Sequence, residues 1–220
     1  MPLETIEKQT GPEPKKTILV MHGLGADGND FVPFAQELDL RAVGPVRFVF
    51  PHAPVRPVTI NGGYRMRAWY DILGTETQRR EDEAGLRESI QLVEELLARE
   101  KERGVEARHI VLAGFSQGCA MALLSGLRHA ERLAGIVGMS GYLPLREKTE
   151  AERSAANRDL PIFLAHGTQD PMIDIARARS TRDALTALGH PLTWREYPMA
   201  HSVCAEEVAD INTWLLQALA

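Results

Sequence analysis

The chain has 220 residues, 44% of them hydrophobic and 25% charged, and its formal net charge at pH 7 is −5. These values are typical of a globular protein that can bury a sizeable core, and they favour one domain over residues 1–220, with a polar segment at 1–15. The negative net charge argues against a nucleic-acid partner, because phosphate binding needs a basic face. The chain starts without the apolar run of a signal peptide, and no apolar run reaches the ~20 residues of a membrane span, so we expect a cytoplasmic protein.

Short apolar segments with strand character alternate along the chain with segments of helical period. Strands are predicted at residues 17–21, 46–50, 109–113, 133–138, 161–165 and 192–197. Helices are predicted from about residue 30, at 82–103, 117–129 and 174–188, and at the end of the chain. Because wholly apolar strands need helices on both faces of their sheet, the alternation predicts an α/β fold with a mostly parallel sheet.

Two segments follow neither pattern. Residues 51–80 have no sustained helical period, yet they contain Trp69 and other apolar side chains. Such a loop either lines a pocket or is simply attached to the core by these side chains. Residues 146–159 are charged and alanine-rich, and we expect them to form a solvated excursion.

The most informative motif is Gly114-Phe115-Ser116-Gln117-Gly118, between a predicted strand and a predicted helix. This Gly-x-Ser-x-Gly pattern places a serine on a sharp strand-to-helix turn, where flanking glycines let the backbone turn tightly. The N-terminus of the following helix offers free N–H groups and partial positive charge to a developing oxyanion. The motif therefore predicts that Ser116 is a nucleophile.

A serine hydroxyl needs a base, and His201 is the best candidate among the seven histidines. It follows the predicted strand 192–197, and catalytic groups gather at the carboxyl ends of parallel strands. The base needs a carboxylate in turn. Asp170 follows strand 161–165 at the same edge, and the order Ser116, Asp170, His201 is the order that α/β-hydrolases use. Asp174 is the alternative acid, although it also suits a helix N-cap.

Two backbone N–H groups are candidates for an oxyanion hole. Gln117 follows the nucleophile, and Leu24 lies in the glycine-rich turn after the first predicted strand. The glycines of that turn also match Gly-x-Gly-x-x-Gly, but no acidic residue follows at the end of a clean second strand, which disfavours a dinucleotide site. Cys119 and Cys204 have no metal-ligand spacing and are too few for a disulfide framework. We therefore expect no metal and no cofactor.

With these motifs in place, the chain resembles the phospholipase/carboxylesterase family of small α/β-hydrolases, which includes carboxylesterases and acyl-protein thioesterases. The resemblance rests on motifs that span nearly the whole chain, namely His22-Gly23-Leu24-Gly25-x-x-Gly28, Pro51-x-Ala53-Pro54, Arg67-Ala68-Trp69-Tyr70-Asp71, Gly114-Phe115-Ser116-Gln117-Gly118, His166-Gly167-x-x-Asp170 and Ala200-His201.

The resemblance implies an α/β-hydrolase fold without a large lid domain, a Ser116–His201–Asp170 triad, and Leu24 and Gln117 as oxyanion donors. It also implies an acyl pocket near Trp69 and Leu73, for which Met172 is a further candidate, and a homodimer.

These inferences predict a serine carboxylesterase that hydrolyses short- to medium-chain acyl esters or thioesters through an acyl-enzyme. The alternatives are an acyl-protein thioesterase or a lysophospholipase. A non-catalytic module of the same fold that binds a small apolar ligand is less favoured, because every position of the triad is filled.

Overall fold

A seven-stranded sheet, parallel except for one edge strand, forms the centre of the protein. We describe it from a computed structural model, in which residues 3–74 and 80–220 are described. The strands in chain order are β1 (Thr5–Gln9), β2 (Lys16–Met21), β3 (Val46–Pro51), β4 (Val55–Val58), β5 (Tyr64–Arg67), β6 (Ile110–Phe115), β7 (Gly135–Met139), β8 (Ile162–Gly167) and β9 (Leu192–Tyr197). The order across the large sheet is β1-β3-β2-β6-β7-β8-β9.

Helices cover both faces of this sheet. They are α1 (Val32–Glu37), α2 (Glu83–Glu102), α3 (Gln117–Arg128), α4 (Arg146–Glu152), α5 (Ile175–Ala187) and α6 (Ala205–Ala218). Alternate side chains of β2 enter two separate cores, with Leu19 packed in the cluster of α2 and α3 and Ile18 in the cluster of α1 and α6. The predicted α/β-hydrolase fold class is confirmed. Among the described residues, no helix is both long and apolar enough to cross a membrane.

The polar segment before residue 16 contains a strand that the sequence did not predict. β1 pairs antiparallel with β3, with Ile6 opposite Phe50, and closes one edge of the sheet. An edge strand is solvated on one side and carries polar residues that limit aggregation, so it lacks the apolar pattern of the central strands.

The two segments without a predicted pattern both contain regular structure. Within residues 51–80, β4 and β5 form a two-stranded antiparallel sheet, and a 3₁₀ turn at Thr59–Asn61 leads into Gly62 and Gly63, which have φ of 66° and 79°. Residues 75–79 of the predicted loop lie outside the described residues. The segment 146–159 is largely exposed as expected, but it begins with helix α4 and is held by Asn157, which accepts from Leu133 N at 3.0 Å.

Candidate active site

Ser116 lies on a sharp turn between β6 and α3, with φ of 56° and ψ of −116°. The two glycines of the motif are required by close contacts. A Cβ atom on Gly114 would lie 2.2 Å from the carbonyl of Gly118, and one on Gly118 would lie 2.0 Å from the carbonyl oxygen of Met21. A non-glycine residue at positive φ is strained, so the surrounding structure must hold Ser116 in this conformation at the end of the strand. Ser116 N donates to Met139 O at 2.9 Å, which ties the turn to β7.

His201 and Asp170 meet at the carboxyl ends of β8 and β9. The distance from His201 Nδ1 to Asp170 Oδ2 is 2.6 Å, and the Asp170 side chain is fully buried. Because the carboxylate accepts, His201 Nδ1 carries the proton, which leaves Nε2 as the basic nitrogen. The His201 ring is packed 4.7 Å from the ring of Phe115, next to Ser116.

Backbone donors hold Asp170 in its ionised form. Its Oδ1 accepts from Met172 N at 2.8 Å and from Ile173 N at 2.9 Å. Burial by itself would raise the pKa of Asp170, but the Ile173 N–H, His201 and the Met172 N–H together hold that pKa below its usual value. The carboxylate is therefore charged at neutral pH and can stabilise an imidazolium.

The alternative acid, Asp174, has a different role. It is exposed, and its side chain accepts from Ala176 N at 2.7 Å as the N-cap of α5. The structure therefore brings His201 together with Asp170.

His166 is a polar neighbour of Asp170 to which the sequence analysis assigned no role. Its buried Nε2 donates to Ile173 O at 2.8 Å and lies 3.3 Å from Asp170 Oδ2. Burial lowers the pKa of His166, so the ring is neutral. The sequence signal for this contact is the motif His166-Gly167-x-x-Asp170. Its short spacing lets the chain turn back after β8, so that Asp170 lies near the end of the strand that carries His166.

The glycine-rich turn after β2 lies against the serine. A Cβ atom on Gly23 would be 3.3 Å from Ser116 Cβ, so the turn approaches the nucleophile as closely as glycine permits. Leu24 and Gln117 both line the cavity that contains Ser116 and His201. Gln117 is the first residue of α3, so its backbone N–H has no partner within the helix.

The cavity at this edge has a volume of about 930 Å³ and is lined by both apolar and polar side chains. The apolar ones include Leu24, Phe31, Phe34, Phe115, Val203 and Val208. The polar ones include Tyr70, Asp71, Glu81, Asp82, Tyr142 and Arg177. Among the polar residues, the hydroxyls of Tyr70 and Tyr142 are hydrogen bonded at 2.8 Å, and the Arg177 guanidinium lies over the Tyr142 ring.

The three residues expected to form the pocket are placed differently. Met172 lines the cavity and is 68% exposed at its mouth. Trp69 does not line it, because its side chain is fully buried and its Nε1 donates to His22 O at 2.9 Å. Leu73 is not among the residues that line it either, although its neighbour Ile72 is. The role of Trp69 and Leu73 in an acyl pocket stays a prediction.

No group of three or more potential metal ligands occurs among residues 3–74 and 80–220. The chemistry that this arrangement supports is nucleophilic attack by a serine, assisted by a histidine base and an ionised carboxylate.

Sequence comparisons show which known proteins the chain is similar to. The profile of the phospholipase/carboxylesterase family matches residues 2–219. The chain is 38% identical to acyl-protein thioesterase 1 of Yarrowia lipolytica over 204 residues, which is 90% of either chain. It is also 38% identical to acyl-protein thioesterase 1 of Neurospora crassa over 212 residues, or 92% of this chain and 86% of that one.

Solved structures show the same fold over almost the whole length. SOBER1 of Arabidopsis thaliana superposes with a TM-score of 0.88 at 27% identity and covers 93% of this chain and 99% of its own. Acyl-protein thioesterase 2 of Zea mays superposes with a TM-score of 0.87 at 27% identity and covers 99% of both chains. These matches confirm the resemblance that the motifs indicated.

Proposed function

Because this chain belongs to the phospholipase/carboxylesterase family, we propose that it hydrolyses carboxylic esters or thioesters with Ser116 as nucleophile, His201 as base and Asp170 as the acid that orients the base. The observation that carries this proposal is that strained Ser116 and the Asp170-bound His201 open into one cavity. Hydrogen bonds between nucleophile and base often tighten only when substrate is bound, so the shared cavity is the relevant geometry.

The reaction proceeds in two halves. His201 Nε2 takes the Ser116 proton as Oγ attacks the acyl carbonyl, and the Leu24 and Gln117 N–H groups bind the oxyanion. The tetrahedral intermediate collapses, the bond to the alcohol or thiol breaks, and His201 returns the proton to that leaving group. His201 then takes a proton from water as that water attacks the acyl-enzyme. When the second tetrahedral intermediate collapses, His201 gives this proton to Ser116 Oγ, and the carboxylic acid is released.

The cavity supports acyl groups of short to medium length. Its volume of about 930 Å³ is ample for such a group together with a leaving group, and its apolar lining residues suit the hydrocarbon part. The relatives named acyl-protein thioesterase favour thioesters, and the family description favours phospholipids or lysophospholipids as the alternative. A non-catalytic binding module does not explain why an ionised Asp170 is held against His201.

Labelling with a fluorophosphonate probe tests the nucleophile. We expect one covalent adduct, located on Ser116 by peptide mapping, together with turnover of p-nitrophenyl butyrate. Ser116→Ala removes the adduct and lowers kcat by on the order of 10⁶, because the members of a triad act as a unit. Ser180→Ala, in a contact with Arg146 on the surface, is the control and retains both. Folded protein without adduct and without turnover would instead support the binding module.

A matched pair of substrates separates esters from thioesters. Butyryl and octanoyl groups are offered on p-nitrophenol and on a simple thiol, and kcat/KM is compared at equal chain length. A thioester advantage at both lengths supports a thioesterase, whereas cleavage of the corresponding amide at the ester rate would contradict an esterase.

A homodimer, which rests on the family resemblance, and the cytoplasmic location expected from the sequence also belong to this proposal. Static light scattering at several concentrations should give about twice the monomer mass of 24.4 kDa. A mass of one chain at every concentration would contradict the dimer.

A further inference from the structure

Trp69 has a fully buried side chain, and it does not line the cavity, although the next residue, Tyr70, does. Each of its polar groups is used. The backbone N–H donates to Gln117 Oε1 at 3.0 Å, the indole Nε1–H donates to His22 O at 2.9 Å, and the carbonyl accepts from Ser89 Oγ on α2. Simple packing of a tryptophan does not require that its two N–H groups reach two separate loops.

Trp69 joins the two segments that supply the proposed oxyanion donors, namely the glycine-rich turn after β2 and the start of α3. Gln117 is one donor through its backbone, and its side chain is held at both ends, since Nε2 donates to Tyr70 O at 2.9 Å while Oε1 accepts from Trp69. His22 precedes Gly23 and Leu24, which carries the other donor. Because a peptide group is planar, a hydrogen bond to His22 O fixes the orientation of the peptide that joins His22 to Gly23.

The His22 ring continues this connection to Leu24. Ala53 N donates to His22 Nε2 at 3.0 Å, so Nδ1 carries the proton and donates to Gly23 O at 2.7 Å. Burial lowers the pKa of His22, which keeps the ring neutral and in this tautomer. Gly23 O and the Leu24 N–H belong to one trans peptide and point in opposite directions. A donor on that oxygen therefore both orients the Leu24 N–H and polarises it.

We propose that Trp69 is a positioning residue of the oxyanion hole, which holds the Leu24 and Gln117 donors in register through His22 O and the Gln117 side chain. This inference rests on the proposed function and adds to it a residue that contacts neither substrate nor triad. The donors must match the position of an oxyanion that exists only in the transition state, so their spacing affects kcat more than KM.

Trp69→Phe tests this inference, because it keeps an aromatic ring and most of the apolar volume but removes the indole N–H together with part of the ring system. Loss of a whole oxyanion donor costs about 10²–10³ in kcat, and we expect a misplaced donor to cost about 10–10². KM for p-nitrophenyl butyrate should change less than threefold. Trp194→Phe is the matched control, since it removes an indole N–H that donates to Glu196 at 3.0 Å on the edge strand β9.

A transition-state analogue provides the readout that a merely structural role would not change. An alkyl trifluoromethyl ketone adds to Ser116 and forms an oxyanion in the hole. In Trp69→Phe its inhibition constant should rise by the same factor as kcat falls, while the thermal midpoint remains within a few degrees of the wild type.

A second variant keeps the test decisive if Trp69→Phe folds poorly. Gln117→Met retains the backbone donor and the side-chain length but releases Trp69 N and Tyr70 O. The two variants act on one network, so their combined loss of kcat should be less than the product of the single losses.

The outcomes separate the two proposals. Full kcat and an unchanged inhibition constant in both variants would overturn the positioning role of Trp69 while the proposed hydrolase stands. A wild-type protein that neither turns over ester nor binds the ketone covalently would overturn the hydrolase, and the oxyanion hole with it.

Discussion

Asp170 and Glu207 are two carboxyl groups without solvent exposure of their side chains, at the same end of the sheet, yet their protonation states differ. The pKa of Asp170 lies below its usual value, whereas burial raises the pKa of Glu207 to about 8, against a smaller opposing effect of the Cys204 backbone N–H. At pH 7 the first group is charged and the second is mostly neutral.

The difference comes from donors, because both groups pay the cost of burial. Asp170 accepts from two backbone N–H groups and from His201. Glu207 has only the weak interaction with the Cys204 N–H, and within the described part of the chain neither of its buried oxygens has another hydrogen-bond partner. The loop after β8 is therefore arranged to hold a negative charge, and the first turn of α6 is not. Burial alone therefore does not show whether a carboxyl group is charged.

Among changes to the carboxyl groups at this end of the sheet, removing the charge of Asp170 should have the largest effect. Asp170→Asn keeps the shape of the side chain but presents an amide to His201 Nδ1, which favours the wrong tautomer of the base. We expect kcat for p-nitrophenyl butyrate to fall by about 10⁴. A loss below tenfold would mean that another acid, with Asp174 first, supports His201.

Glu207→Gln should change the pH dependence of stability. The folded-state pKa of about 8 lies above the ordinary value of 4.5, so folding takes up a proton between these pH values. Stability is therefore lost as pH rises through this range, by about 1.4 kcal/mol per unit. Without that titration, the variant should gain about 4 kcal/mol relative to the wild type between pH 5 and 8, as measured by urea unfolding.

The deciding measurement is how steeply the unfolding free energy changes with pH in each protein. The absolute stability is less informative, because the unpaired buried amide of the variant also changes it. Parallel pH curves for the two proteins would show that Glu207 is charged in the folded state. Asp170 has the opposite sign: its lowered pKa adds stability that is present above its unfolded pKa and is lost as pH falls through the folded pKa.

Asp174→Ala should have the smallest effect and should leave kcat within twofold of the wild type. It removes an N-cap from α5, which costs about 1 kcal/mol of unfolding free energy. Thermal unfolding and ester turnover on the same preparation measure the two effects. A large loss of activity without a loss of stability would transfer the role of the acid to Asp174.

Much of the central sheet could be predicted, because its strands are apolar on both faces and their helices begin and end at recognisable residues. The helix predicted at 117–129 is observed at Gln117–Arg128, and the one at 174–188 at Ile175–Ala187. The rule that functional groups gather at the carboxyl edge of a parallel sheet selected Asp170 and His201, which lie 2.6 Å apart.

What the sequence did not predict depends on distant partners. β1 is a strand because it pairs with the edge of β3, although its own sequence is polar. The placement of Trp69 is a second case, because this buried residue is hydrogen bonded to His22 and Gln117, 47 and 48 residues away in the chain.

The start of α6 shows the same limit of prediction from sequence, at Glu206 and Glu207. Both are acidic residues in the first turn of α6 and suit the helix dipole equally well. Only the packing of α6 against the sheet exposes the first and buries the second.

The sequence by itself determined the α/β class, the family, and the three residues proposed as the triad. These depend on local turn chemistry and on apolar periodicity, which act over a few residues. The tertiary structure alone decided which carboxyl group is charged, which aromatic side chain faces the cavity, and how the two oxyanion loops are joined. Those outcomes depend on hydrogen-bond donors and on burial supplied by segments that are far apart in the chain and meet only in the folded protein.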